Sequence, residues 1–398
     1  MKRLFCLLLC LAMVLCGCAG DPEPTSPAPT APTAAEPAVS EPTEPSKPVF
    51  VRPPMNAVSM PTVSESILAD DGTLLFTKTH QEFQVFITDT DIDDIITADL
   101  QSRLSMALFD ADEIENAARA AYDPEAAWNP YILEVSYTPT RIDQAVLSLF
   151  GNHLTYRGSV HPSLITESVT YDLSTGSTLT LGDILAEDAT GSDICQLIIQ
   201  ALAPRAETDL YGDHQEVLQD RFSQNYVDRT DWYFSRNGLC FHFSPYDIAP
   251  YSSGTIVAEI PYAELSGVIR EKYLPVQATP PTGSMYAEHY LEDDSERFIS
   301  IANLALAAGG TKVLLHPDDT VREVRIEAGN WSADGSMYIP FSTVFAADAI
   351  ELGNAIVITA GFSDTDPVLR LVYRSGDLEV SAILTYDAAG DCFLLVHG

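Results

Sequence analysis

The residues with the types and spacing to do chemistry lie in two turn-forming stretches. GSVHPS (158–163) sets Ser159 two residues before His161, and FSPYDIAPYSSG (243–254) holds Asp247 between two Pro-Tyr pairs. Serine, histidine and aspartate are the parts of a hydrolytic relay. The G-x-S-x-G elbow that presents such a serine is missing, however. H-E-x-x-H, G-x-x-x-x-G-K-[ST] and G-x-G-x-x-G are missing as well, which removes the usual zinc-protease, nucleotide and dinucleotide signatures. The remaining histidines are scattered, so the expectation is a protein that is not an enzyme and needs no cofactor.

A metal site has one candidate. Asp89, Asp91 and Asp93 imitate positions 1, 3 and 5 of a calcium loop, but the sixth position is Asp94 rather than glycine and the twelfth is Leu100. The cluster reads instead as the acidic start of a helix, where carboxylates favour the positive end of the helix dipole. Beyond Cys18 only Cys195, Cys240 and Cys392 remain, with no metal-ligand spacing, and buried free thiols are expected although an isolated Cys195–Cys240 bridge stays open.

Binding chemistry is better represented. Strands at 239–244 and 255–260 would need a short hairpin loop, yet residues 245–254 intervene. Pro245 and Pro250 stiffen this excess loop, and Tyr246 and Tyr251 offer flat amphipathic contact area at low entropic cost. The competing reading turns both tyrosines inward, with Asp247 satisfying backbone amides.

The elements that must position these residues follow from periodicity. An apolar stripe of Ile92, Ile95, Ile96, Leu100, Leu104 and Leu108 predicts an amphipathic helix after a strand region at 73–87. Period-two alternation predicts strands at 131–137, 144–156 and 163–171; helices are expected at 192–206, capped by Ser192, and at 213–226. This is an α+β fold, a mixed or antiparallel sheet with helices on one face. From about residue 280 short strands recur between turn signals, which predicts a small all-β sandwich-like domain.

Composition bounds the partners. The 398 residues are 46% hydrophobic, enough for real cores, and carry a formal net charge of −36, which disfavours nucleic acid and suits a cationic partner. The N-terminus is Met-Lys-Arg followed by an apolar run over 4–16, a length suited to a signal peptide and short of a membrane span. Residues 21–48 are rich in Pro, Thr, Ala and Glu; in polyproline II at about 3.1 Å per residue such a stalk extends on the order of 80 Å.

Three longer segments carry a family resemblance. YRGSVHPS (156–163), VTYDLSTGSTLTLGDIL (169–185) and NGLCFHFSPYDIAPYSSGTIVAEIPYAEL (237–265) resemble signatures of the RsiV-like extracellular domain, the lysozyme-binding ectodomain of certain anti-sigma factors and a non-catalytic module of PdaC-type peptidoglycan deacetylases. The resemblance covers about 63–273. Leu15-Cys16-Gly17-Cys18 likewise resembles a bacterial lipobox, which implies lipidation of Cys18 and a membrane anchor on the extracellular face. The implied organisation is a lipoprotein signal (1–18), a disordered linker (19–62), an RsiV-like α+β domain (63–273) and a β-sandwich-like domain (281–398). No sigma-binding segment or deacetylase metal motif accompanies it, so what the resemblance carries over is binding. The expected partner is a cationic lysozyme-type protein, with peptidoglycan as the alternative. Tyr156, Tyr246, Asp247, Tyr251 and His161 form the candidate ligand-binding set.

Overall fold

The computed structural model describes residues 55–397 apart from 88–89, 224–230, 276–280, 292–293, 295, 308 and 364. The leader 1–18 with Cys18, the linker as far as residue 54, and Asp89 lie outside the described residues. Among the described residues no helix is long and apolar enough to cross a membrane.

Ordered chain begins before residue 63, which corrects the expected linker boundary. Strand β1 (Ala57–Ser59) pairs on both edges, and Ala57, Val58 and Met60 are fully buried. Flanking prolines make this stretch read as linker, but its apolar residues have partners on both faces.

Strands β2 (Thr62–Leu68) and β3 (Leu74–Gln81) form a hairpin, and β4 (Gln84–Phe86) pairs with β1. Helices α1 (Thr90–Ala107) and α2 (Ala111–Ala121) then cross over to β5 (Tyr131–Ile142), which lies parallel to β3. With β6 (Val146–Tyr156) and β7 (Ser163–Asp172) they complete a five-stranded sheet in the order β2-β3-β5-β6-β7. Strand alternation sends Leu147 and Leu149 to the face under α1, where they meet Ile96 and Leu100. Val146 goes to the opposite face and joins a second core.

That second core is built by α3 (Leu181–Ile184), α4 (Gly191–Leu202), α5 (His214–Arg221) and the three strands β8 (Trp232–Phe234), β9 (Gly238–Phe243) and β10 (Ile256–Pro261). Thr190, rather than Ser192, caps α4, with its backbone N–H donating to Asp193 Oδ2 at 2.8 Å. Every residue of β9 is buried. Gly238 is required where β9 meets β10, because a Cβ there would fall 2.0 Å from the Ile260 carbonyl oxygen.

The C-terminal part is a two-sheet sandwich. Strands β11 (Met285–His289), β12 (Ser300–Ala305), β13 (Thr311–Pro317), β14 (Val321–Trp331), β15 (Tyr338–Ile350), β16 (Asn354–Ala360), β17 (Val368–Ser375), β18 (Leu378–Asp387) and β19 (Cys392–His397) follow in sequence. One sheet runs β11-β13-β16-β12 and the other β19-β18-β17-β14-β15-β1-β4. Val313, Leu315 and Ile356 of the first sheet interlock with Ile326, Phe345 and Leu371 of the second. Because β1 and β4 complete the larger sheet, the segments expected as separate domains at 63–273 and 281–398 are joined through shared strands. The fold is mixed α+β with a β-rich C-terminal region. Cys195, Cys240 and Cys392 are free thiols, the first two buried.

Candidate functional site

The excess loop between β9 and β10 is built, not slack. Phe243 pairs with Ile256, leaving residues 244–255 between the strands. Ile248 and Ala249 are buried in the second core and pin the middle of the loop. The Tyr211 N–H donates to the Ile248 carbonyl at 2.9 Å, and Ser253 Oγ donates to the Asp209 carbonyl at 3.2 Å. Pro250 leads into a 3₁₀ turn, Tyr251–Ser253, which Gly254 ends with φ 65°.

The tip is a strained turn. The Asp247 N–H donates to the Ser244 carbonyl at 3.0 Å, with Pro245 second and Tyr246 third, and Tyr246 has φ 77°. This is the type II pattern, in which the third position ordinarily takes glycine. An aromatic side chain there costs about 1 kcal/mol of backbone strain and is held out into solvent, 60% exposed. Strain of this kind persists where the surroundings enforce it: Asp247 Oδ2 accepts the Ser244 N–H at 3.1 Å and pairs with Arg221 at 3.3 Å.

A second turn faces this one. The His161 ring stacks on Tyr251 with centroids 4.1 Å apart, and Tyr251 Oη donates to the Pro162 carbonyl at 2.9 Å. The Tyr246 ring also lies close to Tyr251, at 5.8 Å between centroids. Together with Arg157, Val160 and Ile165 they line a cleft of about 940 Å³. Val160 is fully exposed and Ile165 60% exposed, so the cleft presents an apolar and aromatic surface to solvent.

Beneath the loop a buried polar relay fixes its origin. Thr166 Oγ1 lies 3.0 Å from His242 Nδ1 and 3.1 Å from Ser244 Oγ, while His242 Nε2 lies 3.0 Å from Ser168 Oγ. Burial lowers the His242 imidazole to about 4, so it is neutral at physiological pH.

An acidic cleft of about 870 Å³ adjoins the aromatic one, with Ile165 and Ser244 lining both. Among the described residues its wall combines Asp213, Glu216, Asp220, Asp231 and Asp247 with one cation, Arg221. Burial and then Asp247 raise the Asp231 carboxyl, with Arg221 opposing.

Of the candidate set, Tyr246, Tyr251 and His161 converge on one cleft and Asp247 lines its acidic neighbour. Tyr156 is not among the residues lining the cleft, although its neighbours Thr155 and Arg157 are. Ser159, His161 and Asp247 are not connected as a relay. Ser159 Oγ donates to the His161 carbonyl at 2.7 Å, the His161 ring meets the Pro162 carbonyl at 3.1 Å, and Asp247 is engaged by Ser244 and Arg221. Sequence reasoning missed Val160, Ile165 and the acidic wall, whose residues come from separate elements. No group of three potential metal ligands gathers among the described residues.

Residues 182–263 match the family model described as "Protein of unknown function (DUF3298)", and the chain carries a DUF3298 domain there. The match includes the 244–255 loop and stops short of His161. Among solved structures, a member of that family from Bacteroides fragilis NCTC 9343 aligns with TM-score 0.38 at 18% identity, covering 54% of this chain and 94% of that one. A DUF3298 family protein from Pseudomonas aeruginosa PAO1 aligns with TM-score 0.38 at 14% identity, covering 57% of this chain and all of that one. No curated protein matches the chain.

Proposed function

We propose that the chain is a cell-surface lipoprotein, anchored through Cys18, whose RsiV-like region binds a cationic lysozyme-type protein and transforms nothing chemically. One observation carries this reading: an exposed apolar patch of Tyr246, Val160 and Ile165 lies directly beside an acidic cleft. Exposed aromatic and aliphatic side chains on a rigid support supply binding energy at a protein interface. A carboxylate wall next to them favours a basic partner and speeds its encounter.

The exposed Tyr246 ring favours a second reading, in which a peptidoglycan sugar face stacks on it. Salt separates the two, because charge-led binding weakens as ionic strength rises and sugar stacking does not. Titration of lysozyme into the purified chain at low and at physiological salt tests the first. Saturable binding that weakens with salt is expected; absence of binding at both salts contradicts it. Retention on insoluble peptidoglycan that survives high salt favours the second.

A further inference from the structure

Positive charge is scarce in this protein, with Lys+Arg 21 against Asp+Glu 57. Yet a cleft of about 620 Å³, where the outer face of the seven-stranded sheet meets the α+β part, is lined by six cationic residues and three acidic ones. Cavities of this size suit small ligands or a polymer segment.

The arrangement inside it is unfavourable without a ligand. Arg322 on β14 and Arg374 on β17 are direct cross-strand partners, and like charges in that position repel. A register shift follows Arg322, and Glu323 has φ 52°. This bulge turns Arg322 and Glu323 outward together between the buried Val321 and Val324. Arg325 follows on the same strand, and Arg236 reaches in from the turn between β8 and β9.

The nearby carboxylates do not saturate these guanidinium groups. Arg236 meets Glu323 at 2.8 Å and also donates to its carbonyl at 3.4 Å, and Arg325 donates to Glu379 at 3.5 Å and lies 3.6 Å from Glu327, but Arg374 is 3.8 Å from Glu323 and Arg322 is 3.8 Å from Asp348. Contacts beyond about 3.5 Å are not hydrogen bonds. Arg322 Nε is buried and has no hydrogen-bond partner among the described residues. A buried donor without a partner is costly and calls for an acceptor.

We propose that this junction cleft binds a multivalent phosphate-bearing ligand, held by Arg322, Arg374, Arg325 and Arg236. Guanidinium forks match phosphate oxygens in pairs, and a doubly charged group bridging Arg322 and Arg374 replaces their repulsion with two attractions. A singly charged carboxylate repeats what Glu323 already offers.

Calorimetric titration of the purified full chain tests this with two probes, tripolyphosphate and a poly(glycerol phosphate), against sodium chloride at matched ionic strength. Saturable binding of either probe, absent with chloride, is expected. Preference for tripolyphosphate assigns a free phosphorylated molecule; preference for the polymer assigns an anionic polymer. Arg322→Gln and Arg374→Gln should each weaken binding about tenfold or more. The unliganded melting temperature of Arg374→Gln should stay level or rise, because it removes the like-charge pair, which separates lost binding from lost fold. Arg119→Gln, on α2 beside Glu115, should bind as the parent does. Saturation by neither probe, or affinity unchanged in both Arg322→Gln and Arg374→Gln, overturns the proposal.

Discussion

The His161 imidazole lies against the Tyr251 ring, centroids 4.1 Å apart and planes 27° from parallel. This stack ties the 157–162 turn to the 244–255 loop, and Tyr251 Oη clasps the Pro162 carbonyl on the same side. Tyr251 therefore works as a strut, whereas Tyr246 projects outward from a turn fixed by Asp247 and Ser244. The two tyrosines, equivalent in the sequence motif, have different tasks.

That division can be measured. Tyr246→Gly should hold or raise the melting temperature, since glycine relieves the φ 77° strain at about 1 kcal/mol, while weakening lysozyme binding about tenfold or more. Tyr251→Ala should lower the melting temperature as well as the affinity, because both turns lose their shared contact. Loss of stability in Tyr246→Gly would show that its ring is part of the fold.

The His242 imidazole is lowered to about 4 by burial. A histidine whose folded value lies below its unfolded value near 6.5 contributes stability that is complete above 6.5 and is lost as pH falls toward 4. The loss amounts to about 3 kcal/mol at most. Urea unfolding at pH 7 and pH 4.5 should show a smaller acid loss in His242→Gln than in the parent, and an equal loss would contradict the assignment.

Asp348 behaves with the opposite sign. Burial pushes its carboxyl up to about 6, Arg322 pulls it down, and Asp143 and Glu323 push it further up. A raised carboxyl is favourable when protonated, so its contribution to stability declines as pH rises from about 4 through 6. Asp348→Asn should stabilise the protein at pH 7 relative to pH 4, by on the order of 2 kcal/mol, when the two proteins are compared by urea unfolding. No change in that difference would show that Asp348 is well solvated.

The regular parts of this architecture were legible because their periodicity is strong. Strand β5 alternates buried and less buried residues from Leu133 to Thr138, β6 and β7 are long runs rich in apolar and β-branched residues, and α1 packs Ile92, Ile96 and Leu100 into the core. Elements that depend on distant partners were not. Strand β1 is three residues long and has meaning only beside Ala347, Ala346 and Phe345 of β15. Helix α2 buries a face of Ala111, Ile114 and Ala118 in which only one residue is large, and β8 is a three-residue strand set by its pairing with β9.

The site was legible to the extent that its surplus of loop residues and its prolines demanded a reason. Which tyrosine faces out was not, because that depends on one turn type and one stacking contact. The arginine cleft was invisible, since its four guanidinium groups come from positions between 236 and 374 and meet only through strand pairing.

Hydrogen–deuterium exchange of the chain with and without lysozyme at low salt tests the central claim most directly. Protection concentrated at residues 157–165 and 244–255, with a smaller effect along α5, is the result expected from the paired aromatic and acidic clefts. Protection confined to other strands, or no protection at saturating lysozyme, would contradict it.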